Sequence, residues 1–296
     1  MNARAYAKIN WFLQVTGSRP DGYHELIMLM QRINLYDDLH FEKTDDGQIT
    51  LIDDAANPVP IPPEQNLIVR VARAFQEQAH CHEGVRIKCY KRIPAGAGLG
   101  GGSADAAATL LALNRLWGLT YPRAALQALA LPFGADIPYC LEEGPAIVRG
   151  IGENLTPVDL GVTPWLVLLK PQQSLSTKDV FSKYHQAPPH QEMDMLHTLD
   201  AIRKKIYINL KDVCGNDLQP AAVSLLPQIN EALEYLRHCG ALYVQMSGSG
   251  SAVFGVFDNQ QAARQAWCRL RQSYSTCFLT HGIERAISVP SGQLGV

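Results

Sequence analysis

The residues that point most clearly to a chemical function are five glycines within residues 96–102, interrupted only by Ala97 and Leu99. An alanine- and leucine-rich run begins directly after them, at Ser103. A loop without side chains lets several backbone N–H groups converge on an anion, and the positive end of a following helix attracts the same charge. The pattern predicts a phosphate-binding loop over residues 96–103. The simpler alternative, a flexible turn before a helix, is disfavoured by the entropy cost of so many glycines.

Three well-known glycine-rich loops do not fit the residues around this segment. Gly96, Gly98 and Gly101 satisfy a dinucleotide fingerprint, but no strand and acidic residue follow at the required distance of about 20 positions. A Walker A loop needs a lysine where Gly102 stands, and the protein-kinase signatures are absent. Backbone amides, the helix end, a metal ion or residues from elsewhere must then meet the phosphate charge. Ser103 is either an N-cap or a hydroxyl that faces phosphate or Mg²⁺.

A lysine and an asparagine stand two residues apart in the strand-like segment RAYAKINWFLQV. With a period of two, Ile9 and Trp11 lie on one face of this strand. The other face carries Tyr6, Lys8, Asn10 and Phe12. Because Lys8 and Asn10 interrupt an otherwise apolar strand, they either face a functional site or lie on the wet side of an edge strand.

An aspartate stands between Gly134 and Pro138 in the apolar segment LPFGADIPYC. Asp136 in such a turn is either a helix cap or a carboxylate that accepts a proton, and a general base typically contributes 10² to 10⁴ in rate.

Two further loops carry polar or aromatic groups suited to a ligand. Tyr23 and His24 directly follow the turn residues Asp21 and Gly22, and such a pair could hold a planar base or simply extend the turn. Serine and glycine alternate over residues 247–251 between two strand-like segments, so this hairpin either offers donors to an anion or is merely flexible.

The element pattern around these residues indicates two domains. Strands are predicted over 3–13, 26–35, 38–45 and 84–93, with a helix over 66–79, and residues 57–65 are predicted to be a proline-rich loop. From residue 164 the order is strand, helices, two strands, helix and strand, which is the ferredoxin-like plan. Its predicted elements are strands 165–170, 241–246, 252–257 and 276–286 and helices 176–184, 218–238 and 259–273, with a surface loop over 185–195.

Composition limits the function classes. Lysine plus arginine (26) nearly balances aspartate plus glutamate (28), which gives a formal charge of −2 and no broad basic field for nucleic acid or an anionic membrane. The seven cysteines form no CxxC pair, which favours reduced thiols in a cytoplasmic protein. The N-terminal segment lacks the apolar core of a signal peptide, and no apolar stretch is long enough to span a bilayer.

The segment PAGAGLGGGSADAA resembles the ATP-binding motif of the GHMP kinase superfamily, whose loop wraps nucleotide phosphates without a Walker lysine. The segments AKIN, DGYH, GADIP and SGSGS look like the branch whose acceptor is a cytidine diphosphate-linked methylerythritol. The resemblance implies an α+β fold with an N-terminal ATP-binding domain over residues 1–160 and a C-terminal ferredoxin-like domain over 161–296, whose last strand can return to the N-terminal domain. The active site would lie in the cleft between them.

The resemblance also implies roles for individual residues. Asp136 and Lys8 would be catalytic, flanking the reacting hydroxyl. ATP would be bound by Asn66, Lys91, Pro94, Ala95, Gly96, Ala97, Gly98, Leu99, Gly100, Gly101, Gly102 and Ser103. The acceptor would be bound by Asn10, Tyr23, His24, Thr177, Phe181, Gly248, Ser249 and Gly250, with Tyr23 stacked on the cytosine, Phe181 on its far side and His24 at the base edge. For Phe181 the alternative is a core position.

The expected activity is ATP-dependent phosphorylation of the 2-hydroxyl of the methylerythritol unit, with Mg²⁺ as the metal. Ser103 is a possible metal ligand, although the sequence offers no convincing glutamate partner for it. Two alternatives stay open: a GHMP kinase that acts on homoserine or mevalonate, and a non-catalytic sensor with the same fold. The protein is expected to be a monomer or a homodimer.

Overall fold

The computed structural model describes residues 1–53, 62–184, 193–284 and 293–295. Its N-terminal part is built on two long antiparallel strands, β1 (Asn2–Ser18) and β2 (His24–Thr44). β4 and β5 pair with different stretches of β2, β3 joins β4 in parallel, and β6 closes the sheet on β5. The bounds of these strands are β3 (Ile49–Asp53), β4 (Gly84–Tyr90), β5 (Ala146–Gly150) and β6 (Asn154–Pro157).

Four helices belong to this part: α1 (Leu67–Gln78), α2 (Gly101–Leu116), α3 (Arg123–Ala130) and α4 (Ile137–Cys140). Residues 104–110 of α2 are all buried, together with Ala112 and Leu113. A helix surrounded by protein on nearly every side needs small apolar residues all round, which explains the alanine-rich sequence. The helix after the glycine loop is therefore a central core element.

The C-terminal part confirms the predicted ferredoxin-like arrangement. Its sheet has the order β10-β7-β9-β8, all antiparallel. The strands are β7 (Trp165–Leu169), β8 (Tyr243–Met246), β9 (Val253–Phe257) and β10 (Cys277–Ile283). The helices are α5 (Thr177–Tyr184), α6 (Met195–Arg203), α7 (Leu210–Val213), α8 (Gln219–Leu225), α9 (Gln228–His238) and α10 (Gln260–Leu270).

The prediction of a single helix over residues 218–238 is wrong in one respect, because the structure has two helices there. α8 ends at Leu225, and Pro227 is the N-cap of α9. Proline has no backbone N–H and its ring clashes with the preceding turn, so it favours the first position of a new helix over the interior of an old one.

One strand joins the two parts into a continuous sheet. β10 pairs with β7 through Cys277–His281 and then with β2 through Gly282 and Ile283. A final strand, β11 (Gln293–Gly295), runs parallel to the start of β1. The chain thus returns to the N-terminal sheet after its C-terminal part, while the boundary at residue 160 stays a prediction.

The predicted face of Phe12 is wrong. The register of β1 and β2 shifts between Asn10 and Phe12, which adds one residue to β1. Such a bulge reverses the alternation of side chains beyond it. Phe12 consequently packs in the same buried cluster as Ile9 and Trp11, whereas Leu13 packs with Met28 on the other side.

Two predicted loops fall largely outside the described residues. They are the proline-rich loop 57–65, of which only 62–65 are described, and the surface loop 185–195, of which only 193–195 are described. The last two residues of the strand predicted over 276–286 also lie outside.

Close backbone approach explains the glycine at position 98. Gly98 has a φ of +71°, and a Cβ built there would lie 2.0 Å from the carbonyl oxygen of Ser247. Gly118 has a similar φ of +68°, but nothing lies within 4 Å of its added Cβ. Substitutions at the two glycines can therefore separate the cost of backbone strain from the cost of a steric clash.

We expect Gly118→Ala to lower the free energy of unfolding by about 1–2 kcal/mol, because left-handed backbone strains an alanine. Gly98→Ala should lower the free energy of unfolding by about 1–3 kcal/mol more than Gly118→Ala does, because the glycine loop must also move away from the hairpin. Urea unfolding of both variants measures the difference. Equal losses would show that the loop contact is not tight.

Candidate active site

A cavity of about 1060 Å³ lies between the N-terminal and C-terminal parts of the chain. Every residue to which the family resemblance assigns a catalytic or binding role lines it. These residues are Lys8, Asn10, Tyr23, His24, Asn66, Lys91, Pro94 to Ser103, Asp136, Thr177, Phe181, Gly248, Ser249 and Gly250. The structure thus brings the separate sequence segments to one place, and their individual roles remain proposals.

The glycine loop leads directly into the N-terminus of α2. Gly100 is the N-cap residue, in the left-handed conformation, and no side chain caps the helix. The first N–H groups of a helix have no partner within it, so those of this 16-residue helix are free to bind an anion. Ser103 lies inside the first turn, so its interpretation as the N-cap is wrong, and it is among the residues that line the cavity.

Lys8 lines the cavity and is almost fully buried. Its Nζ donates a hydrogen bond to Oδ1 of Asn10 at 2.7 Å and lies 3.3 Å from Oδ2 of Asp136. The hydrogen bond confirms that Lys8 and Asn10 share one face of β1. A lysine side chain held by these two partners can donate hydrogen bonds to the oxygen atoms of a ligand.

Glycines on two loops make room for this lysine. A Cβ at Gly100 would lie 3.1 Å from Cγ of Lys8, and one at Gly248 would lie 3.3 Å from its Nζ. The backbone N–H of Lys8 also donates to the carbonyl of Leu99 at 2.9 Å. The lysine side chain is therefore held between the glycine loop and the hairpin loop.

Asp136 precedes α4, but its side chain does not cap that helix. The carboxylate faces Lys8 and remains about one-third exposed to the cavity (32%). The other end of α4 is held by the buried Arg32, whose Nη2 donates to the carbonyls of Cys140, at 2.6 Å, and Glu142. This guanidinium satisfies carbonyl groups that a helix end leaves unpaired. The position of Asp136 thus depends on a helix fixed to β2.

An aromatic pair forms part of the cavity lining. The imidazole of His24 stacks on Phe181 with centroids 4.7 Å apart, and Tyr23 is 59% exposed beside it. Oδ1 of Asp21 accepts the N–H of Tyr23 at 3.1 Å and so stiffens the turn. Phe181 is only partly buried and lines the cavity, so the core alternative does not describe it fully.

The serine hydroxyls of the hairpin loop are mostly bound to protein. Ser247 donates to the carbonyl of Gly98 at 3.0 Å, and Ser251 donates to that of Gln173 at 2.8 Å. These two hydroxyls therefore do not face an anion as the sequence suggested, because they fasten the hairpin to its neighbours. Ser249 lies 2.8 Å from the hydroxyl of Thr177, and both line the cavity.

Sequence reasoning missed a buried ionic cluster beside the glycine loop. Lys91 binds Asp37 and lies 2.5 Å from Asp105. Oδ1 of Asp37 also accepts the N–H of Ile93 at 2.8 Å. Burial would lower the pKa of Lys91, but the two carboxylates outweigh it and raise that pKa. The ammonium of Lys91 is therefore neutralised within the protein, although Lys91 lines the cavity as predicted.

Burial dominates the titration of Asp105. It raises the pKa of this carboxyl to about 7, against the attraction of Lys91 and with the help of the negative charge of Asp37. The only feature of the sequence that could have revealed Asp105 is its position, as an aspartate within the alanine run of α2. Asn66 also has a structural contact, because its Oδ1 caps α1 by accepting the N–H of Ile68 at 3.0 Å.

Comparisons with known proteins agree with this fold. Residues 66–144 match the model of the GHMP kinases N terminal domain, and residues 194–276 match GHMP kinases C terminal. The chain is a GHMP kinase, and such enzymes use ATP as the phosphoryl donor.

More specific relatives are similar over nearly the whole chain. The 4-diphosphocytidyl-2-C-methyl-D-erythritol kinase of Thermoanaerobacter pseudethanolicus is 39% identical, covering 98% of both chains. That of Pseudomonas paraeruginosa is 41% identical over 88% of this chain and 86% of the relative. The chain belongs to the family of these 4-diphosphocytidyl-2-C-methyl-D-erythritol kinases.

Solved structures extend the comparison. A 4-(cytidine 5'-diphospho)-2C-methyl-D-erythritol kinase has a TM-score of 0.81 and 35% identity, covering 96% of this chain and all of the other. An L. major mevalonate kinase, at 15% identity and a TM-score of 0.70, shares the fold alone.

Within the described residues, no helix combines the length and apolarity that crossing a membrane requires.

The raised pKa of Asp105 predicts a pH dependence of stability. A carboxyl whose pKa is about 7 when folded and 3.8 when unfolded stabilises the fold fully below pH 3.8 and loses that contribution as pH rises through about 7. Urea unfolding of the wild type and Asp105→Asn at a series of pH values from about 4 to about 8 tests this. The wild type should lose stability relative to the variant over that interval, and a constant difference would contradict the prediction.

Proposed function

We propose that the chain transfers the γ-phosphoryl group of ATP to the 2-hydroxyl of 4-diphosphocytidyl-2-C-methyl-D-erythritol. The product would be the 2-phosphate, an intermediate of the non-mevalonate route to isoprenoid precursors. The observation that carries this proposal is the Lys8–Asp136 pair, at 3.3 Å, in one cavity with a glycine loop and an aromatic pair. The relatives named above support the choice of substrate.

In this proposal Asp136 and Lys8 act on the acceptor hydroxyl. Asp136 orients the hydroxyl and accepts its proton, while Lys8 stabilises negative charge on the attacking oxygen and on the γ-phosphoryl group. Phosphoryl transfer depends mainly on alignment and on charge stabilisation. The burial of Lys8 strengthens its electrostatic effect, because little water screens it.

ATP would lie with its phosphates on residues 96–103, against the N-terminus of α2. Asn66, Lys91, Pro94 and Ala95 would line the rest of the nucleotide site. The acceptor's cytosine would lie at Tyr23, His24 and Phe181, where base–aromatic stacking contributes about 1–3 kcal/mol. Asn10, Thr177, Gly248, Ser249 and Gly250 would line the path between the base and the reacting hydroxyl.

The residues present suit a Mg²⁺ ion that is held largely by phosphate oxygens. Within the described ranges, no three histidine, cysteine, aspartate or glutamate side chains form a metal-binding group. Mg²⁺ commonly needs only one or two protein ligands when it accompanies substrate phosphates. Ser103 would be its protein contact, because this residue lines the cavity and its side chain does not cap α2. When bound, the ion neutralises phosphate charge.

The substrate is tested by turnover. The purified protein is incubated with ATP, Mg²⁺ and either the cytidylyl acceptor, homoserine or mevalonate, and ADP release is followed. We expect turnover with the cytidylyl acceptor alone. Turnover with homoserine or mevalonate instead would keep the GHMP kinase chemistry and overturn the acceptor, whereas ATP binding without any turnover would favour a sensor.

Asp136→Asn tests the proposed chemistry. We expect kcat to fall by about 10² to 10⁴, because the amide cannot accept the proton, with little change in either KM. Thermal unfolding shows whether the variant is folded, and Asp200→Asn on the surface of α6 is the control. A folded Asp136→Asn enzyme with near-normal kcat would refute the assigned role.

Tyr23→Ala separates binding from chemistry. Loss of one stacking partner should raise KM for the cytidylyl acceptor about 5- to 150-fold, because stacking is worth about 1–3 kcal/mol, while KM for ATP stays near its wild-type value. Tyr235→Ala provides a matched control, because Tyr235 is similarly exposed and does not line the cavity. An unchanged acceptor KM would exclude Tyr23 from the base site.

A further inference from the structure

A series of neighbouring residues along the cavity lining connects the aromatic pair with Lys8. Phe181 lies on α5 against His24, and Thr177 begins the same helix one turn earlier. Its hydroxyl lies 2.8 Å from that of Ser249, whose neighbour Gly248 approaches Nζ of Lys8. A linear acceptor with its base at the aromatic pair and its hydroxyl at Lys8 must therefore pass the first turn of α5.

The lysines that line the cavity differ in their salt bridges. Among the described residues, the cavity is lined by three lysines and no arginine: Lys8, Lys91 and Lys178. Lys8 faces Asp136, and Lys91 is neutralised by Asp37 and Asp105. Lys178, in the first turn of α5, is exposed and makes no salt bridge with a carboxylate in the described part of the chain.

We propose that Lys178 binds the diphosphate of the acceptor and so helps to determine specificity for a nucleoside diphosphate conjugate. The inference rests on the proposed function, and it adds a residue that the sequence motifs did not contain. An ammonium on a flexible stem suits a phosphate that passes at the cavity mouth, because it needs no fixed bidentate geometry. The first turn of α5 adds favourable partial charge at the same position.

The nucleotide phosphates are the other anions in the cavity, but they have their own binding elements. In the proposed function, backbone amides of residues 96–102 and the N-terminus of α2 bind them, with Lys8 at the γ-phosphoryl group. Lys178 instead adjoins Thr177 and precedes Phe181 by less than one turn. Its neighbours therefore belong to the acceptor side of the cavity.

The test compares Lys178→Met with the wild type, after wild-type turnover of the cytidylyl acceptor has been established. A charge-assisted contact of ordinary strength predicts a KM for the acceptor about tenfold higher, with KM for ATP within about twofold. Competition with cytidine diphosphate and with cytidine isolates the phosphate contribution. Inhibition by cytidine diphosphate should weaken about tenfold, whereas inhibition by cytidine should not change.

Two further variants make the result specific. Lys178→Arg retains the charge and should keep the acceptor KM within about threefold of the wild type. Lys183→Met removes a lysine from the same helix outside the cavity lining and should leave both KM values unchanged.

Several results would overturn the inference. A rise in KM for ATP alone would assign Lys178 to the nucleotide, and equal weakening of cytidine and cytidine diphosphate would indicate packing instead of charge. No change in any of these constants would identify a solvated surface lysine. If the wild type does not turn over the cytidylyl acceptor, the proposed function fails first, and the two failures are thus distinguishable.

Discussion

A buried lysine ammonium is the constraint on which the site depends. Taking Lys8 out of water costs several kcal/mol unless its charge is met by partners at hydrogen-bond distance. Asn10 and Asp136 supply these partners from β1 and from the start of α4. Because the side chain also touches Gly100 and Gly248, its placement fixes the relative positions of both glycine loops.

The sheet carries this arrangement across the two parts of the chain. β10 pairs with β7 and with β2, so the hairpin that holds Gly248 and the strand that holds Lys8 belong to one hydrogen-bonded surface. The bulge after Asn10 lets β1 supply Lys8 and Asn10 to the cavity and then place Phe12 in the opposite core. A regular strand would have put Phe12 on the face of the charged residues.

Local motifs and the family resemblance together predicted which residues line the cavity, because the glycine loop, the Lys8–Asn10 spacing and the DGYH turn are local features of sequence. The cluster of Asp37, Lys91 and Asp105 could not be predicted in the same way, since its members come from three elements. Ser247 shows the same limit: its hydroxyl looked available until the fold placed the Gly98 carbonyl, 149 residues away, beside it. Such partners depend on tertiary packing that no local spacing specifies.

The neutralised Lys91 also lies beside the glycine loop, which contains no lysine of its own. Asp37 is fully buried and accepts hydrogen bonds from the backbone N–H groups of Arg92 and Ile93, which lead into the loop. A buried carboxylate also requires a nearby cation. Lys91 is committed to that role. Backbone amides bind an anion without adding a net charge, so the glycine loop can form the proposed phosphate site while the fixed charges beside it remain paired.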